Sequence, residues 1–211
     1  MIGRVGARVA AGSVSAAIAL VTVGPATAHH VGTYVPKDNE ITTNFKQIKF
    51  SVQAGKFDVA LRLFETGPLH ADMRARAATL PAGLEAGLHA ALERGDGAEV
   101  ERRLMIFFAA RARDLAREAA RQTADPTRSR EARAAIGARF LEAIWRYYNL
   151  VDFAVAQRDD TTSVAIRLAF DEATGYARSA AAPDRLREPL TRMAHVLSIL
   201  IESSTPARRG S

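Results

Sequence analysis

The sequence of 211 residues contains no cysteine, and this absence excludes several kinds of chemistry. Disulfide bonds, thiolate metal sites, covalent haem attachment and cysteine nucleophiles all need a thiol that the chain does not have. Stability must therefore come from the burial of apolar side chains. The 48% hydrophobic content is enough for one sizeable domain, or for two small ones at most.

Catalytic signatures are missing as well. The chain has no G-x-S-x-G elbow, no phosphate-binding glycine loop and no dinucleotide fingerprint. No two of its five histidines lie three or four residues apart, and neither H-E-x-x-H nor E-x-x-H occurs, so a prebuilt zinc or di-iron core is not supported. These absences predict a protein that is not an enzyme.

Aromatic residues make up only 7% of the chain, and no segment alternates between apolar and polar residues as a strand would. Apolar residues instead recur at helical spacing between short loops. The pattern predicts an all-α fold: an up-and-down bundle of long antiparallel helices with a shorter helical pair packed at one end. The long helices are predicted at residues 98–123, 129–157, about 160–179 and, after a cap at Asp184, to about 203.

The first 28 residues have the three parts of an export signal. Arg4 and Arg8 make a positive start, residues 9–23 are apolar and small, and an Ala-Thr-Ala site ends at Ala28. The apolar stretch is shorter than the roughly 20 residues of a spanning helix, and no second such stretch follows. We therefore expect cleavage near Ala28, a periplasmic or secreted protein, and no transmembrane segment in the mature chain.

The expected organisation follows from this cleavage. Residues 1–28 are the signal peptide, residues 29–43 an extended arm, residues 44–203 a single helical domain, and residues 204–211 a disordered tail. The whole chain has a net charge of +6, and the arginines alternate with acids rather than forming a basic block. This distribution predicts no binding of nucleic acid.

The first candidate site is the pair His29-His30, which directly follows the predicted cleavage site. A terminal His29 would offer its α-amine and its imidazole to one metal ion, a chelate that suits copper. Cleavage one residue earlier would place a histidine second and third, which also favours copper. His70, in the sequence GPLHADM, is the body histidine that we expect to complete the site. The alternative is that the pair lies in the arm by chance.

The second candidate is the acidic pair Asp114 and Glu118, four residues apart on a predicted helix. At that spacing two carboxylates can converge, which would suit iron or manganese inside a bundle. The alternative is a network of arginines and carboxylates that bridges neighbouring helices. The flanking Arg117 and Arg121 favour the alternative because they would neutralise the acids.

The third candidate is the aromatic segment between residues 140 and 155. Its residues Tyr147 and Tyr148 could line a ligand pocket, or Trp145 with Arg146 could form a patch that anchors a partner. An aromatic core layer of the bundle is the simpler interpretation.

These observations predict an exported, non-enzymatic helical bundle that binds or helps to handle copper or iron for a transport or redox system. The alternative is an accessory module without a ligand, which docks on a membrane or periplasmic complex through an exposed helix face.

Overall fold

The computed structural model describes residues 36–179 and 183–205, and these residues form nine α-helices, one short 3-10 helix and no strand. The predicted all-α bundle is confirmed. The helices are α1 (Glu40–Gln53), α2 (Phe57–Glu65), α3 (Pro68–Ala75), α4 (Leu84–Glu93), α5 (Gly97–Thr123), α6 (Arg130–Tyr148), α7 (Asp152–Arg158), α8 (Asp160–Ser179) and α9 (Arg187–Ser204).

Four long helices, α5, α6, α8 and α9, form a closed ring. Helix α5 packs against α6 and α9, and α8 completes the ring by packing against the same two helices. Side chains of α5 fix its direction relative to α9: Arg102 donates to the carbonyl of Ser204, and Arg117 donates to Ser198. The two helices are therefore antiparallel, as short loops between long helices require.

Polar caps decide where several helices begin. Asp96 accepts from the backbone N–H of Glu99 at the start of α5, and Ser129 does the same for α6. At α1 the cap is Asn39, which forms a reciprocal capping box with Thr42. Helix α1 thus starts at Glu40, inside the segment 29–43 that we expected to be an extended arm.

The part before the ring differs from the predicted shorter helical pair, because it comprises four short helices, α1 to α4. They pack on one another and, through α1 and α4, on α5. Gly55 lies between α1 and α2 with a φ of 70°, a conformation that permits a tight turn and that residues with a Cβ rarely adopt.

The second long helix was predicted to run unbroken from 129 to 157, and this was wrong. Helix α6 ends at Tyr148 and α7 begins at Asp152, with a turn between them. The turn brings the buried carboxylate of Asp152 to α8, where Ser163 donates a hydrogen bond of 3.0 Å and Arg167 forms an ion pair.

Asp184 does not cap the last helix either. It belongs to the 3-10 helix Pro183–Leu186 and pairs with Arg133 of α6, while α9 starts at Arg187 without a side-chain cap. The 3-10 segment packs on α6, α8 and α9, so tertiary contacts rather than a local cap set this boundary.

Several aromatic side chains of α1, α5 and α6 lie in the core. Phe108 is surrounded by the rings of Phe45, Phe107 and Tyr147, with centroid distances of 4.8, 5.0 and 6.0 Å. Trp145 is only 6% exposed and packs against Phe170. Trp145 therefore cannot anchor a partner. Among the helices that the structure describes, none is both long and apolar enough to cross a membrane.

Candidate functional site

The predicted metal terminus, His29 and His30, lies outside the described residues and stays a prediction. His70, its expected third ligand, lies on α3. Its Nε2 is 2.7 Å from a carboxylate oxygen of Glu85, and its Nδ1 is 3.2 Å from the carbonyl oxygen of Glu65. Both ring nitrogens of His70 are thus occupied by oxygen atoms of neighbouring helices.

His89 is held in a similar way on α4. Its Nε2 lies 2.9 Å from Glu65 and its Nδ1 lies 3.4 Å from Glu93. The hydrogen bond with Glu65, assisted by the charges of both carboxylates, raises the pKa of His89, although partial burial opposes the shift. The two histidines therefore connect α4 to α2 and α3.

The carboxylates of Asp114 and Glu118 each have a separate partner and do not converge on one point. Asp114 lies 2.8 Å from the guanidinium of Arg113. Glu118 accepts hydrogen bonds from Arg121 and from Gln122. These bonds, that of Arg121 first, lower the pKa of Glu118, which keeps it ionised and paired. In the described residues no three histidine, aspartate or glutamate side chains are grouped so as to hold a metal ion.

One interhelical arginine–carboxylate contact is made by a different residue, Arg111. Its guanidinium is 8% exposed, and its Nε lies 3.0 Å from Oδ2 of Asp72 on α3. The same group donates to the hydroxyl of Tyr147 and lies 4.8 Å from the ring centroid of that tyrosine. Asn39, ahead of α1, also donates to the Tyr147 hydroxyl. A buried polar network thus joins the short helices to α5 and α6.

A second polar cluster surrounds Tyr148, which is fully buried. Burial and then the negative charge of Asp152 raise the pKa of the Tyr148 hydroxyl far above its usual range. Asp152 itself is paired with Arg167 and hydrogen-bonded by Ser163. The cluster connects α6, α7 and α8, so the tyrosine contributes to the core and does not line an open ligand pocket.

One concavity of the structure was not predicted from the sequence. It is an apolar groove of about 250 Å³ between α1, the first half of α5 and the turn that leads into α7. We call it the apolar groove. Its lining residues are Phe45, Lys49, Val52, Gln53, Gly97, Val100, Glu101, Leu104, Leu150, Val151 and Ala154.

Two charged side chains line the apolar groove on different helices, Lys49 on α1 and Glu101 on α5. Within the described part of the chain, neither has an ion-pair partner. The Nζ of Lys49 lies 6.0 Å from the centroid of the Phe45 ring. A bound molecule can therefore reach one free cation and one free anion in this groove.

Two strongly exposed phenylalanines are sequence neighbours of residues that line the apolar groove, although neither lines it. Phe50 follows Lys49 and is 69% exposed, and Phe153 precedes Ala154 and is 71% exposed. The sequence did contain a signal for them, because both residues lie off the apolar stripes of their helices.

Comparisons of the chain with protein-family models, with curated proteins and with solved structures found no match.

Proposed function

We propose that the protein is a non-enzymatic interaction module of an exported complex, and that it binds an amphipathic helix of a partner protein in the apolar groove. The observation that carries this proposal is the apolar groove together with two strongly exposed phenylalanines next to its lining residues in sequence, Phe50 after Lys49 and Phe153 before Ala154. An apolar helix face laid in such a groove is a recurrent mode of peptide recognition.

The size of the groove favours side chains over a small molecule. Its volume of about 250 Å³ is below the roughly 300–1,000 Å³ of typical small-molecule sites. One or two large apolar side chains of a helix would fit this space. The remainder of such a helix would lie above the groove, and in this proposal it would also cover the exposed Phe50 and Phe153.

The energetic gain from these two phenylalanines is considerable. Complete burial of a phenylalanine side chain contributes about 1.5–3 kcal/mol. Because Phe50 and Phe153 are each about seven-tenths exposed, covering both would contribute roughly 2–4 kcal/mol in total. That contribution is comparable to a binding hot spot, which makes both residues the central test of the proposal.

The two free charges define the chemistry of the partner helix. A carboxylate on one flank would face Lys49, and a basic group on the other flank would face Glu101. Such pairs at the rim of an interface act mainly on specificity and on the rate of association. We therefore expect a partner helix with an apolar stripe flanked by charges of opposite sign.

Metal handling stays a prediction that depends on His29 and His30. Within the described residues, His70, the expected third ligand, is instead bonded to Glu85 and to the carbonyl of Glu65. The interaction module is for this reason the function that the described geometry supports better.

The test is a selection from a displayed library of helical peptides of about five turns, roughly 18 residues. The purified protein should retain peptides with an apolar stripe, and a Phe50→Ser/Phe153→Ser variant should bind them at least tenfold more weakly. An Ala154→Trp variant, which fills the groove, should lose them, whereas Ala138→Trp on the exposed surface of α6 should not.

Charge variants test the predicted polarity. Glu101→Lys leaves two cations in the groove and should select more acidic peptides, and Lys49→Glu leaves two anions and should select more basic ones. Glu202→Lys, an equal change of charge on α9 outside the groove, should leave the selection unchanged. Selected peptides that bind equally well to the filled and the open groove would overturn the proposal, as would a library that yields no binder.

A further inference from the structure

A second groove lies between the last part of α5 and α9, and its ionisable lining is entirely basic. We call it the basic groove. Its volume is about 620 Å³, within the range of small-molecule sites. The lining residues are Arg117, Ala120, Arg121, Ala124, Arg187, Thr191, Ala194, His195 and Ser198.

The basic side chains at one end of this groove lie close together. Arg117 donates a hydrogen bond of 3.1 Å to the hydroxyl of Ser198, which fixes the level at which α5 and α9 meet. Arg121 is one turn further along α5, and His195 is one turn before Ser198 on α9. Two guanidinium groups and one imidazole therefore surround the same end of the basic groove.

Most of the basic side chains that line this groove have no acidic partner among the described residues. Apart from Ser198, the guanidinium of Arg117 has no partner among the described residues. The side chains of His195 and Arg187 have none there either. Arg121 alone is neutralised, because it pairs with Glu118. At the end that Arg117 and Arg121 share, the two arginines minus Glu118 leave a formal charge of about +1. Arg187 adds a further positive charge at the far end, so the groove as a whole is opposite in sign to a phosphate monoester, which carries about −1.5 to −2 near pH 7.

The rest of the groove suits an organic substituent. Ala120, Ala124 and Ala194 line it without a charged or hydrogen-bonding side chain. The hydroxyl of Thr191 donates a hydrogen bond to the carbonyl of Arg187, so its hydrogen is not available to a ligand. Arg187 lies at the far end, eleven residues from Ser198, or about 16 Å along the helix. It can attract a ligand but not share one phosphate with Arg117.

We propose that the basic groove binds a phosphate monoester, with the phosphate held by Arg117, Arg121 and His195 and its organic part over the alanines. A planar guanidinium can hold two phosphate oxygens at once, and a histidine ring can donate to a third. Ser198 is a positioning residue, because it orients Arg117. This site is separate from the apolar groove and does not depend on the function proposed there.

Two measurements test the proposal and distinguish a soluble phosphate ligand from a lipid headgroup. The first is titration calorimetry with phenyl phosphate. The second is sedimentation with vesicles of phosphatidic acid or of phosphatidylcholine alone. Binding of phenyl phosphate supports a soluble ligand. Binding restricted to phosphatidic acid vesicles supports a lipid headgroup. Absence of both overturns the proposal, as does binding of benzoate that equals the binding of phenyl phosphate.

Two variants with opposite expected effects make the test independent of misfolding. Arg117→Gln should weaken binding at least tenfold, and Arg139→Gln, an exposed arginine of α6 outside the groove, should have no effect. Glu118→Gln should strengthen binding severalfold, because it frees Arg121 from its carboxylate. Equal affinities for the wild-type, Arg117→Gln and Glu118→Gln proteins would overturn the assignment.

Discussion

Replacement of the buried Arg111 by methionine is the sharpest test of how the short helices are attached to the ring. The change removes a charged group that contacts Asp72 on α3 and Tyr147 on α6 while it fills much of the same volume. The short helices and the ring lose a polar contact that joins them, and no large cavity is created. We expect a substantial loss of stability.

The size of that loss depends on what remains beside Asp72. Leaving a buried charge without its partner costs about 3–5 kcal/mol. After the loss of Arg111 the carboxylate of Asp72 still has Arg76, whose Nε is 3.1 Å away, so we expect the lower end, about 3 kcal/mol. Asp72→Leu instead leaves Arg111 without a carboxylate. A guanidinium cannot lose its proton, so this variant should cost more, about 4–5 kcal/mol.

The double variant Arg111→Met/Asp72→Leu decides between a charge effect and simple loss of packing. If unpaired charge is the cause, the double variant should be more stable than either single variant, because no uncompensated ion remains. Urea unfolding followed by far-UV circular dichroism measures all four free energies of unfolding. Additive losses, or a loss below about 1 kcal/mol for Asp72→Leu, would refute the reasoning.

Two further predictions concern the histidines. The pKa of His89 is raised in the folded protein, so its contribution to stability is complete below the unfolded pKa of 6.5 and is lost as the pH rises through the higher folded value. Above pH 6.5, the free energy of unfolding measured in urea should therefore fall less in His89→Gln than in the wild type. The difference should be below about 1 kcal/mol, because the His89–Glu65 pair is partly exposed. Identical pH profiles would contradict this. If the chain is cleaved after Ala28, copper titration of the purified protein should show tight binding that is lost in His29→Ala/His30→Ala and kept in His89→Gln. Unchanged copper binding in the double variant would exclude the terminal site.

The boundaries of α5 were predictable because local signals agree there. Asp96 is an N-cap, apolar residues recur at helical spacing, and Asp125-Pro126 ends the pattern, so the predicted 98–123 differs from Gly97–Thr123 by one residue. The break after Tyr148 was not predictable in the same way. Tyr148, Val151 and Val155 keep helical spacing across it, and the contacts that favour the turn are made by α8.

The candidate sites were harder to predict for a related reason. Spacing alone placed Asp114 and Glu118 on one face of a helix, but each carboxylate has an arginine nearby on its own helix. The apolar groove combines residues that lie between 45 and 154 in the chain, and the basic groove residues between 117 and 198. Neither combination exists before the helices pack, so no local pattern could indicate it.

The two grooves differ in how they are built, and this difference gives a way to separate their functions. The apolar groove takes one wall from α1 and the others from α5 and the turn before α7, so its shape depends on the short helices staying docked. Both walls of the basic groove come from α5 and α9, which pack directly within the ring. Arg111→Met loosens only the first arrangement, since Arg111 holds α3 and, through Tyr147 and Asn39, the start of α1. The variant should therefore weaken binding of the selected helical peptides severalfold and leave phenyl phosphate binding unchanged, both measured by calorimetry well below the unfolding temperature of the variant. Equal losses at both sites would show that the four short helices and the ring unfold or rearrange as one unit, contrary to this account.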